Sequence, residues 1–337
     1  MTTVIRNASP ADLLSALPEL VGMQPRNSVV LLGFRGKRTR ATLRFDIPST
    51  GFSRFAATAL GTFCKIPQVD GVVVVLCTDA RFGSHHDLLE VLLRRFEQAG
   101  FGAKDAFVVA ADGWGSHFDP VLRSLSDIVW NATPSLLPVP RADELARGRM
   151  ATELQRLHCL DKFDDEFELL EDLPFFAEGA LESSTPSPLL LFALQGPPIR
   201  DLVMLQWAFG LELGDAMWLS DATLGVGPRT VYSDVDRQAA ELIVGHGERP
   251  AIPRIRAAIA LLEALILPAD DSHRRAPLCM LAWLNWAMGQ GSVAGIHIDE
   301  VRRIDPGYSM AQLLDSLFSS GAMPEWLFSS PQIDCEP

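Results

Sequence analysis

At 337 residues the chain is too long for one small domain, and two domains are the expectation. Its 48% apolar and 21% charged residues exclude a disordered chain, which lacks enough apolar surface to bury. A formal net charge of -13 disfavours bulk nucleic-acid binding, because a uniformly acidic surface repels phosphate backbones.

The opening "MTTVIRNASPADLL" has no basic stretch leading into an apolar one, as a secretory signal requires. No apolar run reaches the roughly 18 residues of a membrane span. Cys64, Cys77, Cys159, Cys279 and Cys335 are scattered and never in C-x-x-C spacing, which argues for reduced thiols over disulfides or a cysteine zinc site. The expectation is a cytoplasmic protein with no membrane partner, and no cofactor motif is recognised.

In chain order, "SPADLLSALPELVG" predicts a helix. Ser9 is its N-cap, Pro10 its first residue, and Asp12 completes a capping box. "SVVLLGFRGKRTRATLRFDIP" reads as two strands joined around Gly36. Leu43, Phe45 and Ile47 alternate with Thr42, Arg44 and Asp46, the period of a half-covered antiparallel strand. The basic cluster of Arg35, Lys37, Arg38, Arg40 and Arg44 reads as a solvated hairpin turn. "FSRFAATALGTFCKI" is a short helix, and "GVVVVLCTD" is apolar throughout, as in a strand buried on both faces. A helix over 85–99 and a strand at "DAFVVAADG" complete a strand–helix–strand unit, whose crossover sets its two strands parallel. Residues 1–120 are therefore expected to form an α/β domain with a mixed sheet.

Residues 121–187 read as a helical connector broken at prolines. Its acidic part, residues 161–187, is either an exposed connector or an amphipathic helix. Residues 188–328 read as an all-α domain. Its last stretch fits the spacing of a tetratricopeptide helix pair: Ala282 in the first helix, Gly289 at the turn, Ala294 and Ile298 in the second, and Pro306 closing it. Val301 stands where alanine is usual. Trp283 and Trp286, three apart, predict a packed core rather than a ligand cage.

Three separated blocks, "ADLLSALPELVGMQPRNSVVLLGFRGKRTRATLRFDIP", "PRADELARGRMA" and "LAWLNWAMGQGSVAGIHIDEVRRIDPGYSMAQLLDSLFSSGAMPEW", occur in the order seen in a mainly actinobacterial family. By them the chain resembles the domain of unknown function 4192 over nearly its full length. The resemblance implies no activity and brings no catalytic residues. Many members carry cysteines after a Trp-Ser motif, where this chain reads "DGWGSHFDP" without one. A metal or redox role resting on those cysteines is therefore closed to it.

No P-loop, dinucleotide fingerprint or hydrolase elbow occurs. The candidate chemistry gathers instead where the two parallel strands end. Asp79 and Asp112 close those strands, and the following loops carry His85, His86, His117 and Asp119. Ligands collect at the carboxyl ends of parallel strands, and His with carboxylate can hold a divalent metal or move protons. A structural reading stands beside this one. Ser84 caps the helix, with Asp87 completing the box, and the strand-end aspartates form turns. Two functions follow: a non-enzymatic interaction or scaffold protein docking another protein through its helical domain, or a metal- or anion-dependent enzyme or sensor at the strand rim.

Overall fold

A computed structural model describes residues 9–36, 38–119, 121–130, 139–159, 170–224 (221–224 as backbone only) and 233–329. The chain divides into two compact units, Met1–Ser135 with Phe328–Pro337, and Leu136–Leu327.

The first unit is built on a five-stranded mixed sheet. Its strands are β1 (Ser28–Arg35), β2 (Arg38–Asp46), β3 (Gly71–Cys77), β4 (Gly102–Ala110) and β5 (Gly113–Ser116), in spatial order β2-β1-β3-β4-β5. β3 and β4 run parallel in a register that sets Val74 beside Ala106 and Leu76 beside Val108; every other pairing is antiparallel. The apolar run of β3 is buried along its whole length, as a strand covered on both faces must be. Alternation divides it. Val73, Val75 and Cys77 join Val30, Leu32, Phe107 and Trp114 against Leu14, Leu17 and Val21 of the helices α1 (Pro10–Ser15) and α2 (Leu17–Val21). Val72, Val74 and Leu76 face the other side, where α3 (Phe52–Phe63) and α4 (His86–Gln98) bring Phe63, Leu88, Leu92 and Phe96 into the core.

The Ser9–Asp12 capping box forms as expected, with both reciprocal bonds present. The cap of α4 does not. Ser84 lies in the preceding turn, its amide bonded to the Arg81 carbonyl at 2.9 Å, so the helix starts one residue later with His85 in the cap position and no side-chain cap bond. β5 is a second difference, since "GWGS" lacks the alternation that marks a strand. Its glycines do the work of side chains by leaving space. A Cβ on Gly113 would sit 2.6 Å from the Arg123 carbonyl, and one on Gly115 2.8 Å from that of Val121. The returning chain thus lies against β5 and exchanges two backbone bonds between Trp114 and Arg123, at 3.0 and 2.8 Å.

The described part of the second unit is helical: α5 (Glu144–Cys159), α6 (Leu173–Ser183), α7 (Pro188–Ala193), α8 (Pro197–Phe209), α9 (Leu211–Leu224), α10 (Asp234–Ile243), α11 (Ile252–Ile266), α12 (Asp271–Ala287), α13 (Gly291–Ile304) and α14 (Ser309–Ser319). Of the acidic segment, residues 161–169 lie outside the described residues. The remainder includes the amphipathic helix α6, which buries Leu173, Ala177 and Leu181 and pairs Glu178 with Arg254 through bonds of 2.5 and 2.7 Å. α12 and α13 form a hairpin that turns at Gly289 (φ +83°), with Ala282, Ala294, Ile298 and Val301 all buried. Pro277 sits inside α12, where its ring nitrogen cannot bond the His273 carbonyl. Gln195 Nε2 takes that carbonyl instead, at 3.2 Å. Trp207, Trp283, Trp286 and Trp326 fill the core, and each indole N–H donates to a backbone carbonyl, at 2.8–3.0 Å. No helix among the described residues is long and apolar enough to cross a membrane.

Candidate functional site

The rim at the carboxyl ends of β3 and β4 forms as the parallel pairing requires, and its side chains are spent on holding it together. The Asp79 carboxylate accepts from Asn27 Nδ2 at 2.7 Å, while the Asp79 amide donates to Asn27 Oδ1 at 3.0 Å. Asp112 Oδ1 accepts the Phe82 amide at 2.8 Å and so ties the β3–α4 loop to the end of β4. His85 Nε2 lies 3.1 Å from Thr78 Oγ1, and that hydroxyl also takes the Ala80 amide. Cys77, at the end of β3, is buried, which pushes its thiol up to about 12 and leaves it inert.

Two of the candidates meet. The His86 and His117 rings lie 4.9 Å apart at 36°, and Glu90, one turn along α4, stands 3.2 Å from His86 Nε2. His117 is brought there by β5, its amide bonded to the Ala106 carbonyl at 2.7 Å. Burial, and then the neighbouring His86, push the His117 imidazole below its ordinary range, with Glu90 opposing both. The rings are stacked rather than converging on a point, and among the described residues no three His, Cys, Asp or Glu side chains gather to hold a metal ion.

The sixth candidate, Asp119, belongs to a different place. It pairs with Arg123 at 3.0 Å, and the Arg123 guanidinium lies over the Trp114 ring at 5.2 Å. All three line a cleft of about 610 Å³ bounded by β4, β5 and the start of α1, together with Asp105, Phe107, Ser116, Phe118 and Asp127. Asp105 Oδ1 accepts from the Ala106 amide and from Ser116 Oγ, at 2.8 and 2.7 Å. Trp114 is 3% exposed, and its Nε1–H meets no acceptor among the described residues. Phe118, which lines the cleft, and Val121, Leu122, Leu125 and Val129, which follow it in the chain, are exposed and make an apolar lip carried by one short segment.

Trp114, Asp105, Arg123 and Asp127 stand in no catalytic or ligand-binding pattern along the sequence. The available signal was the Gly-Trp-Gly triplet, in which a large side chain stands between two positions that admit none.

The family model described as "Domain of unknown function (DUF4192)" matches residues 10–150 and 238–325. That covers most of the α/β unit, including the rim, the histidine pair and the cleft, and the last helices of the second unit. No curated protein and no solved structure matches the chain. With more than half of its length matched by that model, the chain belongs to the domain of unknown function 4192 family.

Proposed function

We propose that this is a non-enzymatic interaction protein of the actinobacterial cytoplasm, and that it docks another polypeptide. One observation carries this reading: among the described residues, the large exposed apolar side chains of the α/β unit are all in one segment, Phe118, Val121, Leu122, Leu125 and Val129, whose Phe118 lines the cleft. Apolar side chains exposed singly are ordinary, but five within twelve residues of chain are the kind of concentration that an interaction surface carries. In the helical unit Leu145, Phe175, Leu219, Val244 and Leu313 lie on or beside five different helices. The docking surface accordingly sits on the α/β unit. The helical unit, with its tetratricopeptide-like pair α12–α13, serves as scaffold. A photo-crosslinking residue at Leu122 should capture one reproducible partner, and the same residue at Leu313 should not. The purified partner should then bind the Leu122→Asp/Val129→Asp variant at least about tenfold more weakly than the unaltered protein. Equal capture at both positions, or unchanged affinity, overturns the reading.

A metal- or anion-dependent site at the strand rim is the second reading, supported by the meeting of His86, His117 and Glu90. Stoichiometric zinc retained by the purified protein and lost in His86→Ala would favour it over docking.

A further inference from the structure

We propose that the cleft between β4, β5 and α1 receives a lysine or arginine side chain carried on an apolar, extended segment of the partner. This rests on the reading of the 118–129 lip as the docking surface and names what that surface selects.

The charge inside the cleft is the first reason. Lys104 also lines it, but its ammonium is already engaged, donating to the Gly36 carbonyl and pairing with Asp70 at 3.3 Å. Arg123 is matched by Asp119. Asp105 and Asp127 are left without a cation among the described residues, and Asp105 spends only one carboxylate oxygen on neutral donors. Two uncompensated carboxylates in a concave site favour a cation, and the chain's net charge of -13 steers basic partners towards it.

The walls are the second reason. Phe107, Trp114 and Phe118 line the same cleft. Aromatic faces stabilise an ammonium or guanidinium and also accommodate the methylene stem of lysine or arginine. Arg123, already stacked on Trp114, shows that this ring accepts a guanidinium.

The orphaned indole is the third reason and argues for a peptide rather than a free amine. The four buried tryptophans of the helical unit each donate to a carbonyl, while Trp114 lacks one. A buried donor left unpaired is destabilising, and a partner's backbone carbonyl would satisfy it once the guanidinium over the ring moves aside. The guanidinium covering the ring is held by half-exposed Asp119 and the Val121 carbonyl, so it can be displaced. The apolar lip then meets the residues flanking the basic side chain.

The test is fluorescence anisotropy with a fluorescein-labelled nonapeptide, Gly-Ser-Leu-Val-Lys-Val-Leu-Ser-Gly, and its counterpart with glutamate at the centre. The lysine peptide should bind at least about tenfold more tightly at low salt, and the preference should shrink as salt rises. Asp105→Asn/Asp127→Asn should remove that preference. Trp114→Phe, which deletes the unpaired donor without emptying the core, should weaken the lysine peptide several-fold while leaving the melting temperature unchanged or higher. Equal binding of both peptides, no binding of the lysine peptide at about 1 mM, or an unchanged preference in the double asparagine variant each overturn the proposal. Should Leu122→Asp/Val129→Asp still abolish binding of the crosslinked partner in that event, the docking surface stands and only its basic pocket falls. If the peptide results hold while that variant binds the partner normally, the docking reading fails instead.

Discussion

His86 and His117 are neighbours only because β5 exists, so no spacing in the chain announces them as a pair. Their stacking nevertheless has a measurable signature. Because burial and then His86 hold the His117 imidazole below its ordinary range, His86→Ala should move its titration upward, though not fully back, since burial remains. Glu90→Gln should move it further down, because the carboxylate is what opposes both effects. Following the His117 ring by NMR across pH 4 to pH 8 decides this, and a midpoint unmoved by His86→Ala would show the rings are uncoupled. The aspartates tell the opposite story. Asp79 and Asp112 were legible as turn-formers from their place at strand ends, and they do clasp the rim. Trp114 was not legible. Nothing in a sequence separates a tryptophan whose N–H finds a carbonyl from one whose N–H does not, because the acceptor lies far along the chain.

At the level of elements, the strands with strong apolar or alternating patterns were legible, and so was the parallel pairing of β3 and β4. β5 escaped because its pairing is secured by what its glycines lack. Gly113→Ala and Gly115→Ala should each cost about 2 kcal/mol or more in urea unfolding, since the new Cβ meets backbone carbonyls that cannot step aside. They should also weaken partner binding, because the 121–123 segment that leads into the lip is pushed off the strand. Comparable losses from Gly61→Ala, a helical position with open space around it, would undo the explanation. A separate compensation holds α12. Gln195 Nε2 also donates to the Leu191 carbonyl at 2.9 Å, so Gln195→Leu should cost about 1–2 kcal/mol by orphaning both that carbonyl and the one of His273. In a Pro277→Ala background the helix supplies its own donor to the His273 carbonyl, and that share of the cost should vanish in a double-mutant cycle. Additive effects would mean the glutamine is not acting through that carbonyl.

For the whole molecule, the division into two units, each with its own core, predicts two calorimetric transitions. Acid should separate them. His297, 2% exposed on α13, is pushed down to about 4 by burial, so between about pH 6.5 and pH 4 the unfolded chain binds a proton that the folded one refuses. The stability this residue contributes is complete above its ordinary range and is lost as pH falls, by up to about 3 kcal/mol. The transition belonging to the helical unit should therefore drop on acidification, and His297→Met should flatten that drop. An unaltered acid profile in the variant would remove His297 from the account. The helical half was legible as helices, and its α12–α13 hairpin as a spacing of small residues. The concentration of exposed apolar side chains beyond β5 was hidden, because such a lip is defined by what fails to cover it. One further consequence concerns the opposite margin of the sheet. Among the described residues β2 has no neighbour on its outer side, and the outward amides and carbonyls of every second residue along it are a template on which another chain's strand can add. Arg38 and Arg40 project from that row into water. A second copy adding parallel and in register would bring its own arginines against them, so charge opposes that stacking of identical strands without any covering element.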